Sequence, residues 1–379
     1  MNILHVSLAS AVTEYMLYQE NLLSEQNKLD GHKVTVISDC HKFLNGKMVD
    51  TMPEDRIMEN GVRLIRLKYM SILTKQISSK VKKTIGLEDI LQRLQPDVIL
   101  FHGLSSVELV TVAKYIKKHP NVKLYVDNHA DFYNSAHGFM SREILHKLFY
   151  KWLIQKSLSQ VEKVFYISLE SKEFLKLYKI PEDKMEFFPL GGKIIDGDEY
   201  RIIRNEKRNE LNISKDKMLF VHTGKLDELK RTKDLLEAFQ RIKSKQFTLV
   251  IIGVIHDDIK ETILSFINRD DRIQFLGWKN SDELIDYLCA ADMYLQPGSQ
   301  SATMQNAISC GCPVMLYPYK SHEPYLIENG FYVKTVEDMV NVFKTIDINP
   351  KILKVMSKAS YDIAYGLLDY RKLADRLYQ

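Results

Sequence analysis

Residues 1–40 read MNILHVSLASAVTEYMLYQENLLSEQNKLDGHKVTVISDC, and the order of patterns in this stretch decides the fold. Residues 2–7 form a short apolar run of the kind that makes a buried strand, and residues 33–38 form a second. Between them, residues 14–29 carry a helical spacing that stops at Gly31, a residue suited to the left-handed turn that ends a helix. Strand, helix and strand within about forty residues make a βαβ unit, which implies a parallel sheet with right-handed crossovers.

The same rhythm continues outward. Residues 62–67, 96–101, 123–127 and 164–168 read as strands, with helices over 85–94, 107–118, 142–160 and 171–177. Near 180–215, Pro181, Pro189 and the Gly191-Gly192 pair break the pattern, and polar, charged sequence follows. The alternation then restarts, with strands at 218–223, 247–253, 273–276, 293–295 and 313–317 and helices at 233–243, 259–268, 282–290 and 301–309. A chain of 379 residues exceeds the size at which one core keeps growing. The expectation is an α/β fold of two Rossmann-like domains, 1–190 and 191–360, facing each other across a cleft. A C-terminal helix follows over 361–379, within a helical reading of 356–378. Ligands of such sheets bind beyond the carboxyl ends of the strands.

Composition narrows the functional classes. With 45% hydrophobic and 27% charged residues the chain has the makeup of a folded protein, not a disordered one. Of 53 basic and 49 acidic residues, 26 and 22 fall in residues 1–190, so the whole excess lies in the first half. That bias suits an anionic acceptor or a membrane surface and is too small for nucleic acid. Cys40, Cys289, Cys310 and Cys312 lack the spacing of a metal site, so reduced thiols and a cytoplasmic location are expected. The N-terminus has no basic start of a signal peptide, and no run of about twenty apolar residues occurs. Residues 142–160 mix Arg142, Lys147, Lys151 and Lys156 with Phe149, Trp152, Leu153 and Ile154. A helix of that makeup can pack on a sheet or rest on a membrane face.

Two segments carry the chemistry. In residues 222–233, HTGKLDELKRTK, a strand ends in Gly224 and a loop holds Lys225 and Lys230 before a helix. Glycine lets a phosphate approach the backbone, and two ammonium groups can neutralise a diphosphate; basic residues on a solvated loop are the plainer reading. In residues 291–306, ADMYLQPGSQSATMQN, a strand leads through a polar loop to a helix start at Ser301, Ala302 and Thr303. Free backbone N–H groups at such a start suit a phosphate oxygen, and Asn306 one turn inside can bond ribose hydroxyls; simple helix capping is the alternative.

In order, these pieces resemble glycosyltransferase family 4, the retaining family of GT-B fold, most clearly over residues 217–335. The matching residues are Gly224-Lys225, Lys230, the LLEAF of residues 235–239, Gly253, the FLG of residues 275–277, Ala291-Asp292, Pro297, and the CGCPV of residues 310–314. The opening GHKVTVI of residues 31–37 is also family-like. The resemblance implies that Lys225 and Lys230 clamp the donor diphosphate and that Gly277 and Trp278 face the nucleotide base. It implies that His129, after a strand in the first domain, stands near the sugar, with His102 and Asp131 as acceptor-side candidates. The C-terminal helix would pack back on the first domain.

The chain also departs from the family. Two glutamates eight residues apart are usual around the last loop, and Gly298 and Asn306 stand in those places. Gln300 is the nearest polar candidate for the first, and the glycine pair usual in the first loop is replaced by residues 7–11, SLASA. The implied activity is retaining transfer of a sugar from a nucleotide-diphosphate donor to a glycan or lipid-linked acceptor in cell-surface polysaccharide assembly. No metal or other cofactor is expected, since two lysines can neutralise the leaving group. A peripheral place at the inner membrane face is compatible. A non-catalytic member that binds a nucleotide sugar or a partner, and a nucleotide-sugar epimerase of the same fold, are the alternatives. The scarcity of carboxylates over 297–306 weighs against the epimerase.

Overall fold

β1 (Asn2–Ser7) and β2 (Lys33–Asp39) pair in parallel, Asn2 beside Lys33 through Ser7 beside Ser38, and the helix between them runs Gln19–Leu29. A computed structural model describes residues 1–379 apart from Ser10, Tyr15, Leu17, Asn45, Gly46, Leu73 and the Lys75 side chain. Ser10 of the first loop, and Tyr15 and Leu17 of the expected helix 14–29, thus lie outside the described residues. The chain divides into two compact units, Met1–Pro189 with Tyr370–Gln379, and Leu190–Asp369.

In the first unit β3 (His41–Leu44) and β4 (Lys47–Asp50) form a separate antiparallel hairpin. The main sheet adds β5 (Glu54–Ile57), β6 (Arg63–Leu67), β7 (Val98–His102), β8 (Lys123–Asn128), β9 (Lys163–Tyr166) and β10 (Met185–Phe187). Its order is β10-β9-β8-β7-β1-β2-β6-β5, with only the β5–β6 pair antiparallel. All five residues of β7 are buried, as expected for a strand covered on both faces. One face packs Ile99, Phe101 and Val126 against Val112, Tyr150 and Leu153. The other packs Ile3, Leu100, Tyr125 and Phe165 against Tyr370, Leu373 and Leu377 of the last helix, Tyr370–Tyr378. Arg376 secures that helix by donating to Glu186 Oε1 at 3.0 Å and to the Phe187 carbonyl at 2.7 Å.

The continuous helix expected over 356–378 is broken. Helix Ile352–Ile363 passes into a wider-wound turn, Ala364–Leu368, and Asp369 then adopts an extended backbone and forms a parallel bridge with Gly192. Residues 361–369 therefore belong to the second unit. The polar, charged stretch near 200, where the alternation breaks, holds the 14-residue helix Gly197–Glu210. Arginines anchor it: Arg204 donates to the carbonyls of Cys289, Ala290 and Ala291, and Arg204 and Arg208 both pair with Asp292.

The second unit's sheet contains β11 (Met218–Leu226), β12 (Phe247–Ile255), β13 (Ile273–Phe275), β14 (Met293–Gln296), β15 (Val314–Leu316) and β16 (Gly330–Tyr332). Its order is β13-β12-β11-β14-β15-β16, with every pair parallel. Each sheet reverses its strand order once, between β1 and β7 in the first unit and between β11 and β14 in the second. Those reversals leave a crevice at the strands' carboxyl ends, where ligands of open α/β sheets bind.

Candidate active site

In the second unit the crevice is built around close backbone approach. Gly224 and Gly253 pair in register at the ends of β11 and β12. A Cβ on Gly253 would lie 1.9 Å from the Gly224 carbonyl oxygen, so no larger residue fits without moving a strand. Gly253 N donates to the Gly277 carbonyl at 2.8 Å, drawing in the segment after β13. Trp278 beside it is 67% exposed, free to meet a flat ligand face.

Lys225 is exposed at the end of β11, whereas Lys230 is 7% exposed. Asp227 Oδ1 accepts the Lys230 N–H at 3.0 Å, and Lys230 Nζ donates to the carbonyls of Ser299 and Gln300, each at 2.9 Å. Burial depresses the Lys230 pKa and Asp227 partly offsets this. The two loops are stitched further by Ser299 N donating to the Leu229 carbonyl at 2.7 Å. This contact explains the first departure from the glutamate pair: a Cβ at Gly298 would lie 2.2 Å from the Leu229 oxygen, so the position admits no side chain.

The helix expected over 301–309 begins at Thr303. Ser301 Oγ donates to Thr303 Oγ1 at 3.1 Å and accepts the Thr303 N–H at 3.3 Å, closing a short turn ahead of the helix, whose own N-cap, Ala302, has no side-chain hydrogen bond. Ala302 is exposed and Asn306 half-buried, and Gln300 Nε2 donates to Ser321 Oγ at 2.6 Å. Two residues that sequence reasoning passed over stand here: Gln296 Nε2 and Gln305 Oε1 are buried with no hydrogen-bond partner among the described residues. Unsatisfied interior groups at a crevice are what a bound ligand would satisfy.

In the first unit, β8 delivers Asp127 and the residue after its end, His129. Asp127 is 1% exposed; its Oδ1 accepts the Gly103 N–H at 2.9 Å and its Oδ2 meets His102 Nδ1 at 2.5 Å. The same Oδ2 lies 3.5 Å from His129 Nε2, and the His129 side chain is 35% exposed. Burial opposes a charged His129, but the Asp127 carboxylate outweighs it and raises the pKa to about 9. Burial alone would push Asp127 up; the charges on His102 and His129 hold it well below the carboxylate range.

His102 is thus an interior residue at 2% exposure rather than an acceptor-facing one. Its ring stacks 5.3 Å from that of His5, with His102 Nε2 3.0 Å from His5 Nδ1. One ring nitrogen each of His102 and His129 and one carboxylate oxygen of Asp127 lie within 4.8 Å of one another, and both nitrogens of His102 are committed to hydrogen bonds. Asp131 Oδ1 accepts the N–H groups of Tyr133 and Asn134, each at 2.8 Å, and closes a turn, while the side chain stays half-buried.

The stretch expected as helix 142–160 is a wide-wound helix, Met140–Tyr150, continued by an α-helix, Lys151–Ser157. Tyr150, Leu153 and Ile154 enter the core. The opposite side leaves Met140, Ile144, Leu148 and Trp152 exposed at four-residue spacing, with Phe139 next to them. Lys156 lies over the Trp152 ring at 3.8 Å, and Arg142 over Phe132 at 5.4 Å. Among the described residues no helix is long and apolar enough to cross a membrane.

Comparison with known proteins bears on both units. The family model for glycosyl transferases group 1 matches residues 203–362, and that for Glycosyltransferase Family 4 matches residues 18–191. The chain is 22% identical over 317 residues, 78% of its own length and 78% of the other's, to the UDP-Gal:alpha-D-GlcNAc-diphosphoundecaprenol alpha-1,3-galactosyltransferase of Escherichia coli. Among solved structures, sucrose-phosphate synthase from Thermosynechococcus elongatus aligns at a TM-score of 0.70 with 16% identity, covering 100% of this chain and 98% of that one. Anabaena Alr3699/HepE in complex with UDP aligns at 0.69 with 14% identity, over 100% and 98%.

Proposed function

Since the chain belongs to the family 4 glycosyltransferases of GT-B fold, we propose that it moves a hexose, with retention, from a UDP-linked donor to a lipid-linked glycan at the inner face of a membrane. The observation that carries the reading is the crevice of the second unit. There a lysine is threaded against the 299–300 carbonyls, beside glycines with no room for a side chain. Lys225 and Lys230 neutralise the diphosphate as it leaves, and the backbone near Gly224 admits its oxygens. His129 stands at the sugar as a cationic hydrogen-bond donor. The UDP-galactose donor and diphosphoundecaprenol-linked acceptor in the name of the Escherichia coli relative, and the UDP bound to Alr3699/HepE, support the choice of substrates. The exposed apolar stripe with its lysines supports a membrane-borne acceptor.

The test is a thermal-shift and transfer assay with UDP, GDP, ADP and CMP and their sugar conjugates. UDP at about 100 times its Kd should stabilise the fold by roughly 2.7 kcal/mol. That shift should vanish in Lys230→Ala, with transfer falling about a hundredfold and EDTA leaving the wild-type rate unchanged. An anomeric proton in the product matching that of the donor supports retention. Full transfer in Lys230→Ala overturns the clamp. Absence of any nucleotide shift points instead to a non-catalytic member, for which the filled position at Gly298 is the structural motive.

A further inference from the structure

A single file of hydrogen bonds runs through the first unit from its surface to Asp127, whose Oδ2 lies 3.5 Å from His129 Nε2, and its direction is fixed by its outer end. The Asp30 carboxylate accepts, so the Tyr378 hydroxyl donates to Asp30 Oδ2 at 2.6 Å. The Tyr378 oxygen therefore accepts from Asn27 Nδ2 at 2.8 Å, which turns Asn27 Oδ1 toward His5 Nε2 at 2.8 Å. His5 must donate from Nε2. Burial and the neighbouring His102 charge hold His5 neutral, with its pKa lowered to about 3, so its Nδ1 is a bare acceptor. His102 accordingly donates its Nε2 proton to His5. A second proton must then lie between His102 Nδ1 and Asp127 Oδ2, because a carboxylate and a bare ring nitrogen 2.5 Å apart would repel.

We propose that His5 and His102 are positioning residues for His129: the file keeps a proton shared between His102 and Asp127, and that shared proton sets how strongly Asp127 holds His129 as a cation. The proposal rests on the reading of His129 as the residue at the donor sugar. Glu20, on the helix Gln19–Leu29, is the other acidic group acting on the His129 charge. With the proton in place, the Asp127–His102 pair is close to neutral and the Asp127 pull on His129 is moderated. Replacing His102 by an uncharged residue leaves the full carboxylate charge to His129, whose proton is then held more tightly. His129 would donate a hydrogen bond less readily to a developing negative charge and would stay protonated to higher pH.

The experiment follows the imidazole resonances of the full chain by NMR across pH, with His129→Ala to assign the signal, alongside the pH–rate profile of sugar transfer. His102→Gln should raise the His129 midpoint by about one pH unit and lower kcat about tenfold, with KM for the donor within about twofold. His5→Leu removes the acceptor for His102 Nε2, so the file no longer holds the proton between His102 and Asp127 and the midpoint should move the same way. His5→Gln, whose amide can both accept from His102 and donate to Asn27, should restore wild-type values. An unchanged midpoint in folded His102→Gln overturns the proposal. So does a His5→Gln protein that behaves like His5→Leu. If His102→Gln does not fold, the two His5 variants decide. A midpoint that moves while the pH–rate profile stays fixed keeps the file and removes His129 from the reaction.

Discussion

His5 and His222 are interior imidazoles, both at 0% exposure and each in a different unit. Burial, then the charge on His102, lowers the His5 pKa to about 3; burial lowers that of His222 to about 4, where the Leu295 carbonyl opposes and Lys230 adds to the effect. Unfolded, both titrate near 6.5, so as pH falls below that value the unfolded chain binds protons that the folded chain refuses. Stability is lost between pH 6.5 and about 3–4, on the order of a few kcal/mol per histidine. Urea midpoints of wild type and His222→Gln, measured at pH 7 and 4.5, should show the variant losing distinctly less over this interval. Equal losses would mean His222 does not titrate as its burial dictates. His129 has the opposite sign, its contribution being full below 6.5 and lost as pH rises through about 9. The sequence made Lys230 and His129 visible because each follows a strand end in a recognisable frame. His5, Asn27 and Tyr378 were not visible, because Asn27 and Tyr378 meet across 351 residues and no local pattern records such a pairing.

At the level of elements, the parallel strands were legible because their residues are buried on both faces and read as unbroken apolar runs. β3, β4 and β5 were missed because HKFL is half-buried, KMVD and EDRI are largely exposed, and all three mix charge with apolar residues. Helix Gly197–Glu210 was missed for a related reason, since Arg208 alone among its residues is buried and arginine pairing with Asp292 secures it. The glycines of the second sheet give a sharper test of element geometry. Gly253→Ala places a methyl 1.9 Å from a carbonyl oxygen of the neighbouring strand, which only a strand shift relieves. A loss of about 3 kcal/mol, or failure to accumulate folded protein, is expected. Gly366→Ala meets nothing within 4 Å and should stay within about 0.5 kcal/mol. Thermal melts of the two purified proteins decide, and equal Tm values would show that β11 and β12 do not need their close approach.

Across the whole molecule, the net charge of +4 arises in the first half of the chain, which also carries the exposed stripe Met140, Ile144, Leu148 and Trp152. Flotation with vesicles containing phosphatidylglycerol should carry the wild-type protein upward, and pure phosphatidylcholine should carry much less. Ile144→Glu combined with Leu148→Glu should abolish flotation while leaving transfer to a water-soluble acceptor within about twofold. Both side chains are already solvent-exposed, so the fold should tolerate the change. Flotation unaffected by that pair would move the membrane contact elsewhere or remove it. The last helix has one more consequence. Residues 370–379 leave the ribosome after the whole second unit, yet they cover one face of the first unit's sheet and supply Tyr378. A nascent chain that has delivered residues 1–189 can form the sheet but not close it, and Tyr125 and Phe165 stay bare until residues 370–379 have been made. The hydrogen-bond file that ends at Asp127 is therefore completed only once Tyr378 has been made, and a ribosome stalled before residue 370 holds an aggregation-prone precursor.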